Sequence, residues 1–175
     1  MIVKNSVTVI LFLAGLIFSM TNPAAAEERV LGSWIAKGKV FPIGNEKVVF
    51  YGEAKGTVHH RDGKGKLDTG KLYCTASIYI DEQSHQEEGS GFCTITTINN
   101  DKIYANFTCA GPIKKCKGKF KHLGGTGEFK GISGETDLTW KVHLVRSSQR
   151  ESSIDFVEQE VSGYFLLPNL TYTLP

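Results

Sequence analysis

Residues 117–135 read KGKFKHLGGTGEFKGISGE, and this stretch decides the fold. Six of its 19 residues are glycine: Gly118, Gly124, Gly125, Gly127, Gly131 and Gly134. Phe120 and Phe129 flank the Gly-Gly-Thr-Gly centre. Glycine serves where a backbone needs positive φ or must approach another surface closely. The stretch therefore predicts a curved strand–turn–strand corner at which a barrel closes. It is no phosphate cradle. A P-loop requires Lys followed by Ser or Thr after its last glycine, and neither Gly125 nor Gly127 is followed so. A dinucleotide fingerprint requires glycine where Lys130 stands. Both motifs also need a strand on one side and a helix on the other.

Outward from the corner, the chain has strand period almost everywhere. Val30, Gly32, Trp34, Ala36, Gly38 and Val40 alternate with a second set that includes Ile35, Lys37 and Lys39. Leu72, Cys74, Ala76, Ile78 and Ile80 share one face, with Tyr73, Thr75, Ser77 and Tyr79 on the other. Ile103, Ala105, Phe107 and Cys109 repeat the pattern, as do Leu138, Trp140, Val142 and Leu144. Further runs cover 48–60, 92–98 and 154–167, rich in β-branched and aromatic residues. Turn chemistry separates them at 42–45, 61–65 and 99–101. Beyond residue 26 no window sustains an apolar period of 3.6. About eight strands with hairpin-length links predict an all-β domain, a closed antiparallel barrel of calycin-like type. Closure is favoured because it removes exposed strand edges.

Residues 1–26 stand apart. Lys4 is their only charge, residues 7–20 are largely apolar, and Ala24-Ala25-Ala26 places small residues at a cleavage site. This is the pattern of a secretory signal, and the apolar run is short of the roughly 20 residues of a spanning helix. Cleavage would leave 27–175 as a single domain, soluble and without a membrane span, in the periplasm or outside the cell. It would carry 19 basic against 18 acidic residues. Such a balance argues against a nucleic-acid partner. The four cysteines Cys74, Cys93, Cys109 and Cys116 form an even set, which in an exported chain favours disulfides. Three connectivities exist. Cys109 and Cys116 bracket a hairpin turn, so 109–116 with 74–93 is preferred. Neither a C-x-x-C pair nor a histidine at ligand spacing supports a metal site, and no cofactor is expected.

Gly124-Gly125-Thr126-Gly127-Glu128-Phe129-Lys130-Gly131-Ile132-Ser133-Gly134 resembles the signature of the allene oxide cyclase and dirigent-type barrels. Upstream, 91–96 (GFCTIT) followed by 101–105 (DKIYA) is similar to a run in small exported bacterial members of that group. The resemblance spans roughly 48–165 and implies an eight-stranded barrel with an apolar interior. In plant members that interior holds a hydrophobic substrate and steers a cyclisation or a radical coupling. The five glycines Gly124, Gly125, Gly127, Gly131 and Gly134 carry over as markers of the fold. The resemblance to bacterial members makes a bacterial source the expectation, in which the sequons at Asn106 and Asn169 have no role.

Residues with chemistry to offer inside such a lumen are few. Glu53 and Glu135 are the candidate acids, and Tyr73, Tyr79, Tyr104, Trp140 and His59 the candidate lining. A carboxyl facing a tyrosine can orient a polar ligand group or act as a general acid. His59 and His60 point to opposite faces of one strand, and His85, His122 and His143 are expected at the surface. Asp81, Glu82, Glu87 and Glu88 read as an acidic loop. Lys114, Lys115, Lys117, Lys119 and Lys121 form a basic cluster on the exterior, with 117, 119 and 121 on one strand face. The leading expectation is a non-catalytic exported barrel that binds a small hydrophobic or amphiphilic molecule or a protein partner, and that can form a homo-oligomer. The first alternative is a cyclase or isomerase working in the lumen. The second is a surface interaction protein that uses lysines 114–121.

Overall fold

The computed structural model describes residues 26–60, 66–147 and 156–174. The segment 1–26, expected from sequence to be a secretory signal, lies outside them except for Ala26, as does the turn expected at 61–65. Eight strands follow in order: β1 (Ala26–Gly44), β2 (Lys47–His60), β3 (Gly70–Asp81), β4 (Gln86–Thr96), β5 (Lys102–Pro112), β6 (Lys115–Gly125), β7 (Glu135–Ser147) and β8 (Val157–Tyr172). Each pairs antiparallel with the next, and β8 pairs back onto β1, so the barrel is closed. A single 3-10 turn, Gly127–Phe129, interrupts the β structure among the described residues.

The period-two sets fall as their polarity dictates. Val30, Trp34, Ala36, Leu72, Cys74, Ile78, Ile103, Ala105, Phe107 and Leu138 are buried and face the lumen. Their neighbours in sequence face solvent. Glycines at inward positions give the large rings somewhere to lie. Side chains at Gly32 and at Gly91 would run into Phe165 and Phe107.

Two register details depart from simple alternation. The β7–β8 pairing shifts between Val142 and Leu144. Leu144, expected on the inward set, is 44% exposed, and Val145, which is paired with Val161, borders the cavity although it is itself 39% exposed. A bulge flips parity because the side-chain period is two. β4 also begins at Gln86, six residues ahead of the expected run, and so takes Glu87 and Glu88 of the acidic segment into a strand.

The glycine corner does not close the circumference of the barrel, which the long β1–β8 ladder does. It closes one end. Lys102 N–H donates to Thr126 Oγ1 (2.8 Å) and Glu128 N–H donates to Asp101 Oδ2 (3.2 Å), tying the corner to the start of β5. Ser133 and Thr173 exchange backbone hydrogen bonds of 3.2 and 3.0 Å, tying it to the end of the chain. Gly127 has φ 54° and Gly131 φ 78°, where other residues are strained. A side chain at Gly127 would also overlap the Asp101 carboxylate. The corner drives Phe129, 1% exposed, into the barrel end beside Leu67, Ile132, Leu170 and Tyr172, all buried.

Both expected disulfides are present. Cys74 and Cys93 face each other across β3 and β4 with Cα atoms 4.1 Å apart. Cys109 and Cys116 join β5 to β6 with Cα atoms 5.5 Å apart. No described cysteine is free.

Candidate functional site

The end opposite the corner is formed by the turns between β1 and β2, β3 and β4, and β5 and β6, and by the facing ends of β7 and β8. A cavity of about 290 Å³ runs from this end into the lumen. That volume is near the lower bound, about 300 Å³, of ordinary small-molecule sites. Trp34, Phe50, Phe107, Phe120, Trp140 and Phe165 supply aromatic walls. Aliphatic residues from β2, β3, β7 and β8, together with Cys74 and Cys93, fill the spaces between. Trp140 is central to the aromatic group: its ring centroid lies 5.5 Å from that of Trp34 and 5.6 Å from that of Phe107. Such tilted pairs are favourable arrangements of aromatic quadrupoles.

Four residues with polar or charged side chains, besides Trp140 and the cysteines, line this cavity: Glu82, Glu87, Lys114 and Gln159. Glu82 and Lys114 are exposed at the mouth. Glu87 is different, being 3% exposed. Its Oε2 accepts the backbone N–H of Lys114 at 3.0 Å. Its Oε1 is buried without a hydrogen-bond partner, and so is the indole Nε1 of Trp140. Burial pushes the Glu87 carboxyl above the ordinary value, while the Lys114 N–H and the nearby Trp140 N–H pull against that shift. The indole is thus near enough to favour the carboxylate but not aligned to bond it. No lysine, arginine or histidine among the described residues forms an ion pair with Glu87.

Of the residues proposed from sequence as acids or lining, Trp140 alone stands in the lumen. Glu53 is exposed on the outer face of β2, where its carboxylate holds the Tyr73 phenol above the ordinary value. Glu135 is exposed at the start of β7, 3.8 Å from Lys119 Nζ. Tyr73 and Tyr104 are 39% and 40% exposed. Tyr79 lies on the outer face of β3, beside Glu88 and Lys117. His59 is exposed, its Nε2 3.0 Å from Thr57 Oγ1. All six take the parity opposite to Leu72 or its equivalents, so the pleat turns them out.

Glu87 was missed, although its parity was legible. It stands two, four and six residues before Gly89, Gly91 and Cys93 on the inward face of β4. The neighbouring acids hid it, because four carboxylates close together resemble a solvated loop.

His122, expected at the surface, is buried as well, 4% exposed. It sits near the closed end, with its ring edge-on to Phe120 and Tyr172 at 5.8 and 6.3 Å. Neither ring nitrogen has a partner, and burial lowers its pKa to about 4. It does not line the cavity. The lysine cluster lies outside and is partly neutralised, since Lys119 pairs with Asp137 at 2.9 Å as well as with Glu135. Among the described residues no group of three or more His, Cys, Asp or Glu could hold a metal ion. The sequence matches no protein-family model and no curated protein.

Proposed function

We propose that the protein is an exported, non-catalytic barrel that binds a small apolar or amphiphilic molecule in its lumen. One observation carries this reading: an aromatic-walled cavity of about 290 Å³, plugged at one end and reaching solvent at the other. An apolar molecule entering it gains roughly 25 cal/mol for each Å² of its apolar surface withdrawn from water. The two disulfides support export, since such bonds persist in oxidising compartments. To test it, the mature protein is purified from its native compartment, extracted with organic solvent, and the extract examined by mass spectrometry. The expected result is one apolar compound in stoichiometric amount. Empty extracts, with no quenching of Trp34 and Trp140 fluorescence by apolar probes, would overturn it.

Glu87 favours a second reading, a cyclase or isomerase. A carboxyl with a raised pKa inside a dry cavity is the form a proton-transferring group takes. Glu87→Gln separates the two: it abolishes turnover in an enzyme and leaves the binding of uncharged apolar molecules intact.

A further inference from the structure

The cavity walls are mainly apolar, and Glu87 is the one charged side chain lining them that is buried; that group selects a ligand chemistry. Both polar groups around Glu87 are N–H donors, Lys114 N–H and the Trp140 indole. A carboxylate is an acceptor on both oxygens, whereas a protonated acid would set its own O–H against these donors. Burial works against ionisation and pushes the carboxyl up, so the ionised form needs a partner that Oε1 lacks and a counter-ion that no described residue supplies. The wall beside it is aromatic, with the Trp140 ring packed against both Trp34 and Phe107. Aromatic faces attract cations, and most strongly where water is excluded.

We propose that the cavity takes an organic amine, whose protonated nitrogen bonds Glu87 Oε1 while its apolar body lies against the aromatic walls. This rests on the lumen-binding reading above and narrows it to one chemical class. An amine supplies the missing donor and the missing counter-charge together. An alcohol supplies only the first. A carboxylic acid would bring a second acceptor charge to a buried carboxylate. The cavity size admits a single ring with a short alkyl chain or a compact polycyclic amine, with the ammonium at Glu87 near the mouth.

Three probes of matched shape make the test: phenylbutylamine, phenylbutanol and phenylbutyrate, titrated against the full mature protein by tryptophan fluorescence and calorimetry. A hydrogen bond to a charged group contributes enough for a preference of about tenfold or more for the amine over the alcohol at neutral pH. Glu87→Gln should remove that preference, so that the amine and the alcohol bind the variant with similar affinity. A measurement on the unaltered protein does not depend on how the variant folds. Amine affinity should fall on acidification as Glu87 takes up a proton, while alcohol affinity changes little. Glu82 and Lys114 are the other ionisable groups lining the cavity, and Glu82→Gln should leave the profile in place. Equal binding of alcohol and amine, or a preference that survives Glu87→Gln, overturns the amine assignment and leaves the lumen reading standing. If none of the three probes binds, both fall.

Discussion

Toward its two ends this barrel buries a histidine and a glutamate, and it treats them in opposite ways. At the closed end His122 is packed between Phe120 and Tyr172, its nitrogens are unpartnered, and it does not line the cavity of the other end. Burial leaves it neutral, and a neutral imidazole in a packed apolar end is a structural element. At the open end Glu87 is buried just as deeply, but it borders empty volume and has N–H donors facing it. Burial alone therefore does not mark a functional group. What separates the two is space for a second molecule and a polar environment with one partner still missing.

If the closed end is the structural one, the largest loss should come from unplugging it. Phe129→Ala removes an almost fully buried ring and should cost about 3–5 kcal/mol, read from denaturant unfolding. Apolar-probe binding at the other end should persist under conditions where the variant is folded. A small loss would show that the corner does not carry the plug.

His122 gives the next effect, in pH. The unfolded chain takes up its proton near 6.5, the folded chain only near 4. Its contribution is thus fully present above pH 6.5 and is lost as pH falls toward 4, below which the loss stops growing. By linkage the sum is roughly 3 kcal/mol. His122→Leu should flatten that part of the stability profile relative to the parent, and an unchanged profile would mean the imidazole is solvated.

Glu87 should move stability less and with the opposite sign. Its folded pKa is raised, so its contribution is favourable in acid and is lost as pH rises through the folded value. Glu87→Gln should therefore gain on the parent as pH increases. Melting curves of parent and variant, compared from acid to neutral pH, check this. A variant that loses ground with pH would place the carboxylate in a stabilising pair.

The smallest effect belongs to the outer wall. Glu53→Gln should change neither probe binding nor melting temperature beyond error, because its side chain faces water. Any loss of binding there would return the site to the position first suggested by sequence.

The barrel itself was legible before any coordinates. Alternation in sets such as Leu72, Cys74, Ala76, Ile78 and Ile80 dictates strands, since only a pleated chain puts every second residue on one face. Hairpin-length links then make neighbours antiparallel, which brought Cys74 opposite Cys93 and Cys109 near Cys116. The site was not legible to the same degree. The tyrosines were chosen for their chemistry although their parity already set them against the apolar face. Leu144 went wrong for another reason: one register shift between strands reverses parity, and nothing in the local pattern announces it.

Sequence by itself thus determined an all-β chain of about eight antiparallel strands, because this follows from local periodicity and short connections, and it favoured the observed cysteine pairing among three. It also held the inward parity of Glu87 in the spacing to Gly89, Gly91 and Cys93. Only the tertiary structure decided that the glycine corner plugs one end and that a cavity remains toward the other. A cavity is the volume left after side chains from all eight strands have packed, and no segment encodes that remainder. Whether a buried charge borders that volume or lies in packed core depends on residues far away in the chain. That is why Glu87 and His122, alike in burial, came apart only once the barrel was closed.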